Sequence, residues 1–330
     1  MAVTLKNRPD PGRQLARRRL WIIGLSLFVI ADIALVAMAL NRPAPSTPDA
    51  WVAPTFASTP APTSTPEPTQ TAEPPQTVKI VDPTRILEAR DGSLAWRAVT
   101  GPCPGTLATP ERTIDSGATW KPTNATTPTD VVSLRAITIE GTDVASMIGQ
   151  LASDCSTNLV RTYVGGDNYE RYPADLAGAW FVHPLDHAVV HSPAGDFPAP
   201  CANVMALAAI DGDRAAALCN GQTVHVTTDA AASWSAAVSV PGAMNLTESA
   251  SGYLVATVST DPGCVGVQLL TLPGLVEGGT GKLPVSGCFP TPASPDSLAG
   301  NIALSEGAGT LWLWAGDALE RSSDGGTTWE

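Results

Sequence analysis

Charge is the first thing this chain has little of. Charged residues make up 15% of its 330 positions, with 19 Lys and Arg against 31 Asp and Glu and a net charge of −12. From residue 79 onward 12 cations face 26 carboxylates. A protein that neutralises a phosphate backbone needs a basic footprint, so nucleic acid is excluded as a partner. Aromatic residues are also scarce at 5%, whereas Gly and Pro number 29 and 30. That balance disfavours long helices and suits short strands joined by turns. The sequence contains no Cys-x-x-Cys pair, phosphate loop, serine-hydrolase elbow or His-Glu-x-x-His string. No cofactor is therefore expected, and no catalytic residue can be named.

What is present begins with the one long apolar run, residues 20–40 (LWIIGLSLFVIADIALVAMAL). As a helix rising about 1.5 Å per residue it spans the roughly 30 Å hydrocarbon core. Arg17, Arg18 and Arg19 precede it, which keeps residues 1–19 cytoplasmic and sends the remainder outside the cytoplasm. Ala37-Met38-Ala39 resembles a signal-peptidase site, but the run is longer than a usual signal core and follows 19 residues. The expectation is an uncleaved single-pass anchor in the cell membrane. Asp32 falls near its centre, where an ionisable group costs about 2.5–3.5 kcal/mol. Contact with another membrane helix and simple toleration by the surrounding apolar residues both fit it. Residues 41–76 are dominated by Pro, Thr, Ser and Ala. They read as an extended, disordered stalk, open to O-glycosylation.

Residues 77–330 carry an internal repeat. The unit Ser/Thr-x-Asp-x-Gly-x-Ser/Thr-Trp is complete at residues 113–120 (TIDSGATW) and 322–329 (SSDGGTTW). These copies contribute Thr113, Asp115, Gly117, Trp120, Ser322, Asp324, Gly326 and Trp329. Residues 227–234 (TTDAAASW) are a worn copy with Thr227, Asp229 and Trp234 but Ala231 for Gly. Residues 175–180 (DLAGAW) keep only the spacing from Asp175 to Trp180. The four Trp lie 60, 54 and 95 residues apart, which suits units of about 50 residues. The chemistry is that of a turn: Asp caps backbone amides, Gly supplies a positive φ, and Trp buries a large surface on the next strand.

This motif set resembles the Asp-box (bacterial neuraminidase repeat) family of β-propellers, which includes sialidases and photosystem II assembly-factor-like proteins. The resemblance implies an all-β propeller whose boxes join the third and fourth strands of each blade, away from the ligand face. Alternation and turn signals place five four-stranded blades over residues 85–322. Six follow if two units are merged between Asp130 and Ala199. The fourth strand of the second blade is expected at 180–183. The final box ends at Glu330, so residues 78–81 (VKIV) are expected to complete the last blade as a borrowed outer strand.

Six cysteines in an exported domain read as three disulfides. Sequence allows 15 pairings; nearness favours Cys103–Cys155, Cys201–Cys219 and Cys264–Cys288. Residues 161–172 (RTYVGGDNYERY) form a local aromatic and charged cluster. Arg161, Tyr163, Tyr169 and Tyr172 are candidates for ligand contact. His183, His187 and His191 would align on one helix face as metal ligands, but Pro184 and Pro193 interrupt the segment, which reads as an exposed loop. The Arg-rich, Phe/Tyr-Arg-Ile-Pro apparatus of sialidases is absent; Thr84-Arg85-Ile86-Leu87 is the nearest string. The expected function is a non-catalytic recognition or scaffold module with a protein or glycan ligand. A sialidase-like glycoside hydrolase and an envelope assembly factor are the alternatives.

Overall fold

A computed structural model of the chain describes residues 79–274 and 283–330. The expected cytoplasmic tail (1–19), membrane helix with Asp32 (20–40) and stalk (41–76) all lie outside the described residues. Among the described residues no helix is long and apolar enough to cross a membrane.

The described residues form a six-bladed β-propeller, one blade more than the preferred count. Blade one holds β1 (Arg85–Ala89), β2 (Ala95–Val99), β3 (Glu111–Thr113) and β4 (Lys121–Pro122). Blade two holds β5 (Val131–Ile139), β6 (Ala145–Leu151), β7 (Thr157–Thr162) and β8 (Glu170–Arg171). Blade three is short, with β9 (Phe181–Val182), β10 (Val189–Ser192) and β11 (Gly195–Pro198). Blade four comprises β12 (Val204–Ala209), β13 (Ala215–Cys219), β14 (Thr223–Thr227) and β15 (Val238–Ser239). Blade five comprises β16 (Ala243–Ser249), β17 (Gly252–Asp261), β18 (Cys264–Pro273) and β19 (Val285–Pro290). Blade six has β20 (Ile302–Gly307), β21 (Thr310–Ala315) and β22 (Ala318–Ser322). Every blade is an antiparallel meander in chain order.

Each blade is sandwiched between two others, so its middle strands are buried on both faces and lose the apolar–polar alternation of a one-sided sheet. All five residues of β13, AAALC, are buried, and β17 is buried over its first seven. A separate apolar cluster fills each of the six blade interfaces. The smallest fully buried set, Ile148, Leu159 and Phe181, joins blades two and three.

Four turns share one hydrogen-bond pattern. The hydroxyls of Thr113, Thr227 and Ser322 accept from the N–H groups two and four residues on, at 2.8–3.4 Å. Thr162 does the same with Val164 and Gly166, at 3.3 and 2.9 Å. The fourth and fifth residues of each turn have positive φ; Gly165 and Gly166 stand at 62° and 91°, Ala230 and Ala231 at 57° and 70°. The turn of blade two is therefore residues 162–169 (TYVGGDNY), not the stretch ending at Trp180. There Val164 replaces Asp and Tyr169 replaces Trp, which hid it from a search keyed on those two residues. Asp175 lies in a 3-10 helix, Pro173–Gly178, and Trp180 enters blade three, donating Nε1 to the Asp211 carbonyl at 2.8 Å. The expected outer strand at 180–183 is thus the inner strand β9 of a blade whose strands are only two to four residues long.

The aromatic at the end of each turn is a tie to the preceding blade. Trp329 donates to the Cys288 carbonyl at 2.8 Å, Trp234 to that of Pro198 at 3.3 Å, and the Tyr169 hydroxyl meets Thr123 Oγ1 at 2.7 Å. Trp120 of blade one packs edge-on against Trp312 of blade six, 6.3 Å between ring centres. Ring closure also uses Ala89 N–H to Ser305 Oγ at 2.9 Å, Trp312 Nε1 to the Asp91 carbonyl at 2.9 Å, and the Arg97 guanidinium 5.1 Å from the Trp314 ring. A borrowed outer strand takes no part. The described residues 79–84 contain no strand, and Thr84 N–H bonds the Gly300 carbonyl beside the innermost strand of blade six. Ile80 packs into the cluster between blades five and six. At the outer edge, Glu330 exchanges both backbone bonds with Arg321, the register that Lys121 keeps with Arg112 in blade one.

Three disulfides join Cys103 to Cys155, Cys201 to Cys219, and Cys264 to Cys288. The first ties blade one to blade two. Cys288 lies within β19.

Candidate functional site

The innermost strands line the propeller axis. Arg85 and Glu88 from β1, Arg135 from β5, and Asn245 and Thr247 from β16 surround a channel of about 190 Å³. Nothing local in the sequence marks a Glu in an apolar strand as facing an axis, so the axial carboxylates carry no sequence signal. Enclosure pushes the Glu88 carboxyl well above its ordinary range, and the charge of nearby Glu248 adds to it; the Ser305 hydroxyl, 3.5 Å away, opposes weakly. Glu248 is pushed up by burial, with a further contribution from Glu306, against hydrogen bonds from its own backbone and the Thr247 hydroxyl. A carboxylate that must shed water without a cation beside it holds its proton more tightly. The Arg135 guanidinium is pushed down by burial, donates to Gln150 Oε1 at 2.9 Å and leaves Nε buried without a partner.

A larger cleft of about 770 Å³ opens between blades two and three, where the interface cluster is smallest. Its lining includes Glu140, Arg161, Asp175, Trp180, Phe181 and Leu207, and it reaches Glu88, Arg135 and Glu248. The short strands of blade three and the 3-10 helix leave less apolar surface to pack here than a full blade would. Arg161 ties the β5–β6 end of blade two to the 3-10 helix. It meets Glu140 at 3.1 Å and Asp175 at 2.8 Å, and its Nε donates to Ser146 Oγ at 2.7 Å. Ser146 in turn donates to Glu140.

The aromatic residues proposed for ligand contact separate into two groups. Tyr163 is exposed and packs edge-on against Tyr172 at 6.1 Å, and Tyr172 lies 5.2 Å from the Arg161 guanidinium. Tyr169 is 2% exposed, is pushed up to about 12 by burial, and serves the blade-two turn instead of a ligand. The three histidines also separate. His187 bonds Asn203 through Nδ1 at 3.0 Å, while His183 and His191 converge on Asp196. They reach it from a β-sheet rather than a helix.

No family model matches the chain, and no curated protein matches it. Among solved structures it is similar to YCF48 bound to a D1 peptide, at 20% identity over 78% of this chain and 82% of that one, with a TM-score of 0.28. YCF48 from Cyanidioschyzon merolae aligns at 14% identity over 77% and 87%, with a TM-score of 0.38. The GH74 xyloglucanase from Xanthomonas campestris aligns at 16% identity over 77% of this chain and 38% of its own, with a TM-score of 0.29. At such scores the likeness carries no argument about ligand or activity.

Proposed function

We propose that the chain is a membrane-anchored, extracytoplasmic propeller of the Asp-box type, acting as a non-catalytic recognition module that takes a segment of a protein partner in the cleft between blades two and three. The cleft is the observation that carries this reading: about 770 Å³, lined by Trp180, Phe181 and Leu207 beside the charged groups Glu140, Arg161 and Asp175. Apolar surface supplies affinity and a few fixed polar groups supply orientation. The apolar run at 20–40 would hold the propeller at the membrane, with the Pro/Thr-rich stalk as spacer.

A photo-crosslinking amino acid at Trp180 in the full chain, expressed in native membranes, tests the binding mode, with the same label at exposed Leu107 as control. Adducts to one protein from position 180 alone support it. Equal labelling from both positions, or none from 180, sinks it. Sodium carbonate extraction tests the anchor; release of the full chain into the soluble fraction overturns it.

One observation favours a second reading, a glycoside hydrolase. Glu88 and Glu248 are partly enclosed carboxyls at the axis, both pushed up by burial, and the charge of Glu248 pushes Glu88 up further. Paired carboxyls with separated proton affinities are the equipment of glycosidases. Against this, Arg161 is committed to Glu140 and Asp175, so it is not free to hold a substrate carboxylate. Hydrolysis of a glycoside panel by the full chain, abolished in both Glu88→Gln and Glu248→Gln, would replace the first reading.

A further inference from the structure

We infer that blade three carries a zinc-binding site formed by His183, His191 and Asp196. The three ligand atoms belong to three adjacent strands or their ends. His191 on β10 stands directly opposite Phe181 on β9 and Asp196 on β11. Cross-strand partners share a face, and residues two apart on one strand do too. His183 follows Phe181 by two, so all four side chains lie on one face of the sheet. The backbone register, not loop conformation, brings the donors together.

One donor atom from each of the three residues falls within 4.8 Å of the other two. Asp196 Oδ1 is 3.1 Å from His183 Nε2 and 2.5 Å from His191 Nδ1. Ligands around a tetrahedral zinc at about 2.0–2.1 Å lie roughly 3.3 Å apart. The arrangement therefore needs only small side-chain movements to admit the ion. Phe181 stacks on the His191 ring, 4.6 Å between centres and 18° between planes, and fixes the orientation of that imidazole. His191 Nε2 is buried without a partner, which leaves Nδ1 as the nitrogen turned to Asp196. The Asp196 side chain is 56% exposed and gives an ion access from solvent.

Two imidazoles and a carboxylate suit Zn²⁺ among the divalent transition metals, and three protein ligands leave a fourth position for water. The carboxylate offsets half of the ion's charge. The remainder faces solvent, where it is tolerated. His187 is excluded from the set by its bond to Asn203, although sequence spacing groups it with the other two.

The test is calorimetric titration of zinc sulfate into the untagged full chain in detergent near neutral pH, beside His183→Gln, Asp196→Asn and His187→Gln. One equivalent is expected to bind the wild type and His187→Gln alike. Loss of a ligand is expected to weaken binding at least about tenfold in the other two variants, since even outer-shell changes cost about 10–100-fold. X-ray absorption of the zinc-loaded wild type, which does not depend on any variant folding, should show two imidazoles and one carboxylate oxygen. Absence of saturable binding overturns the assignment, as does retention of affinity in Asp196→Asn and His183→Gln, or equal loss in His187→Gln. A different ligand set in the absorption spectrum also overturns it.

Discussion

Replacing Gly166 by Ala tests whether residues 162–169 form the turn that ties blade two to blade one. Gly166 has a φ of 91°, and a Cβ there would lie 2.4 Å from Thr123 Cγ2 and 3.0 Å from the Trp96 ring. The left-handed conformation costs an L side chain about 1–2 kcal/mol. Forcing a methyl into a filled site adds about 1–3 kcal/mol. The stiffer unfolded chain returns about 0.4–1 kcal/mol. The net expectation is a destabilisation of about 1–5 kcal/mol, or a melting temperature lower by roughly 2–18 °C for a domain of this size. Gly178 is the internal comparison, because it lies in the stretch whose Asp-to-Trp spacing imitates the repeat. It has no atom within 4 Å of an added Cβ and no positive φ, so Gly178→Ala should raise the melting temperature by about 1–4 °C. Thermal melts of the full chain followed by tryptophan fluorescence give both numbers. A Gly166→Ala protein melting within about 1 °C of wild type, or a larger loss at Gly178, would refute the assignment of the turn.

Stability should peak on the acid side of neutrality, because two sets of carboxyls act with opposite sign. Glu88 and Glu248 have folded pKa values above their ordinary 4.5, so their contribution is greatest below that value and falls as pH rises through the folded pKa values. Asp324 is held down to about 2 by the Thr328 amide and hydroxyl, so its contribution is present above its ordinary 3.8 and is lost as pH falls towards 2. The melting temperature of the full chain should therefore peak between about pH 4 and 5, and Glu88→Gln with Glu248→Gln should flatten the neutral side; an unchanged slope in that double variant counts against the axial burial. Replacing each cysteine pair by Ser should cost about 4 kcal/mol for Cys103–Cys155 and about 3 kcal/mol for the two shorter loops, by chain entropy, given sequence separations of 52, 18 and 24; urea melts showing the 52-residue link to be the least costly would contradict that ordering. Trp120→Ala should lower stability by about 2–3 kcal/mol, somewhat less than the 3–5 kcal/mol of a fully buried Trp, and should expose the blade six edge to faster hydrogen exchange at β20 and β21. Unchanged exchange there would show that closure does not depend on this side chain.

The sequence by itself determined the strands with strong local signals. β1, β13, β14, β21 and β22 are of this kind, because each is bounded by turns that Gly, Asp or Asn impose locally. It also determined the repeated turn wherever Thr or Ser, Asp and Trp survive, since that turn is closed by hydrogen bonds within eight residues. Nearness along the chain was enough to favour the three cysteine pairs. Tertiary structure decided what local pattern does not encode. Blade three escapes a period search because its strands are two to four residues long and its prolines break the alternation; it exists because Phe181 and Val190 have a neighbouring blade to pack on from each side. The blade-two turn kept its two positive-φ glycines but exchanged the Trp for a Tyr bonded to Thr123, a partner 46 residues away. Ring closure rests on Trp120 meeting Trp312 across 192 residues of sequence, and no spacing rule reaches that far. The axial carboxylates and the convergence of His183 and His191 on Asp196 are likewise consequences of strand register and of how six sheets surround one axis, which fix which side chains share a face only after the chain has closed on itself.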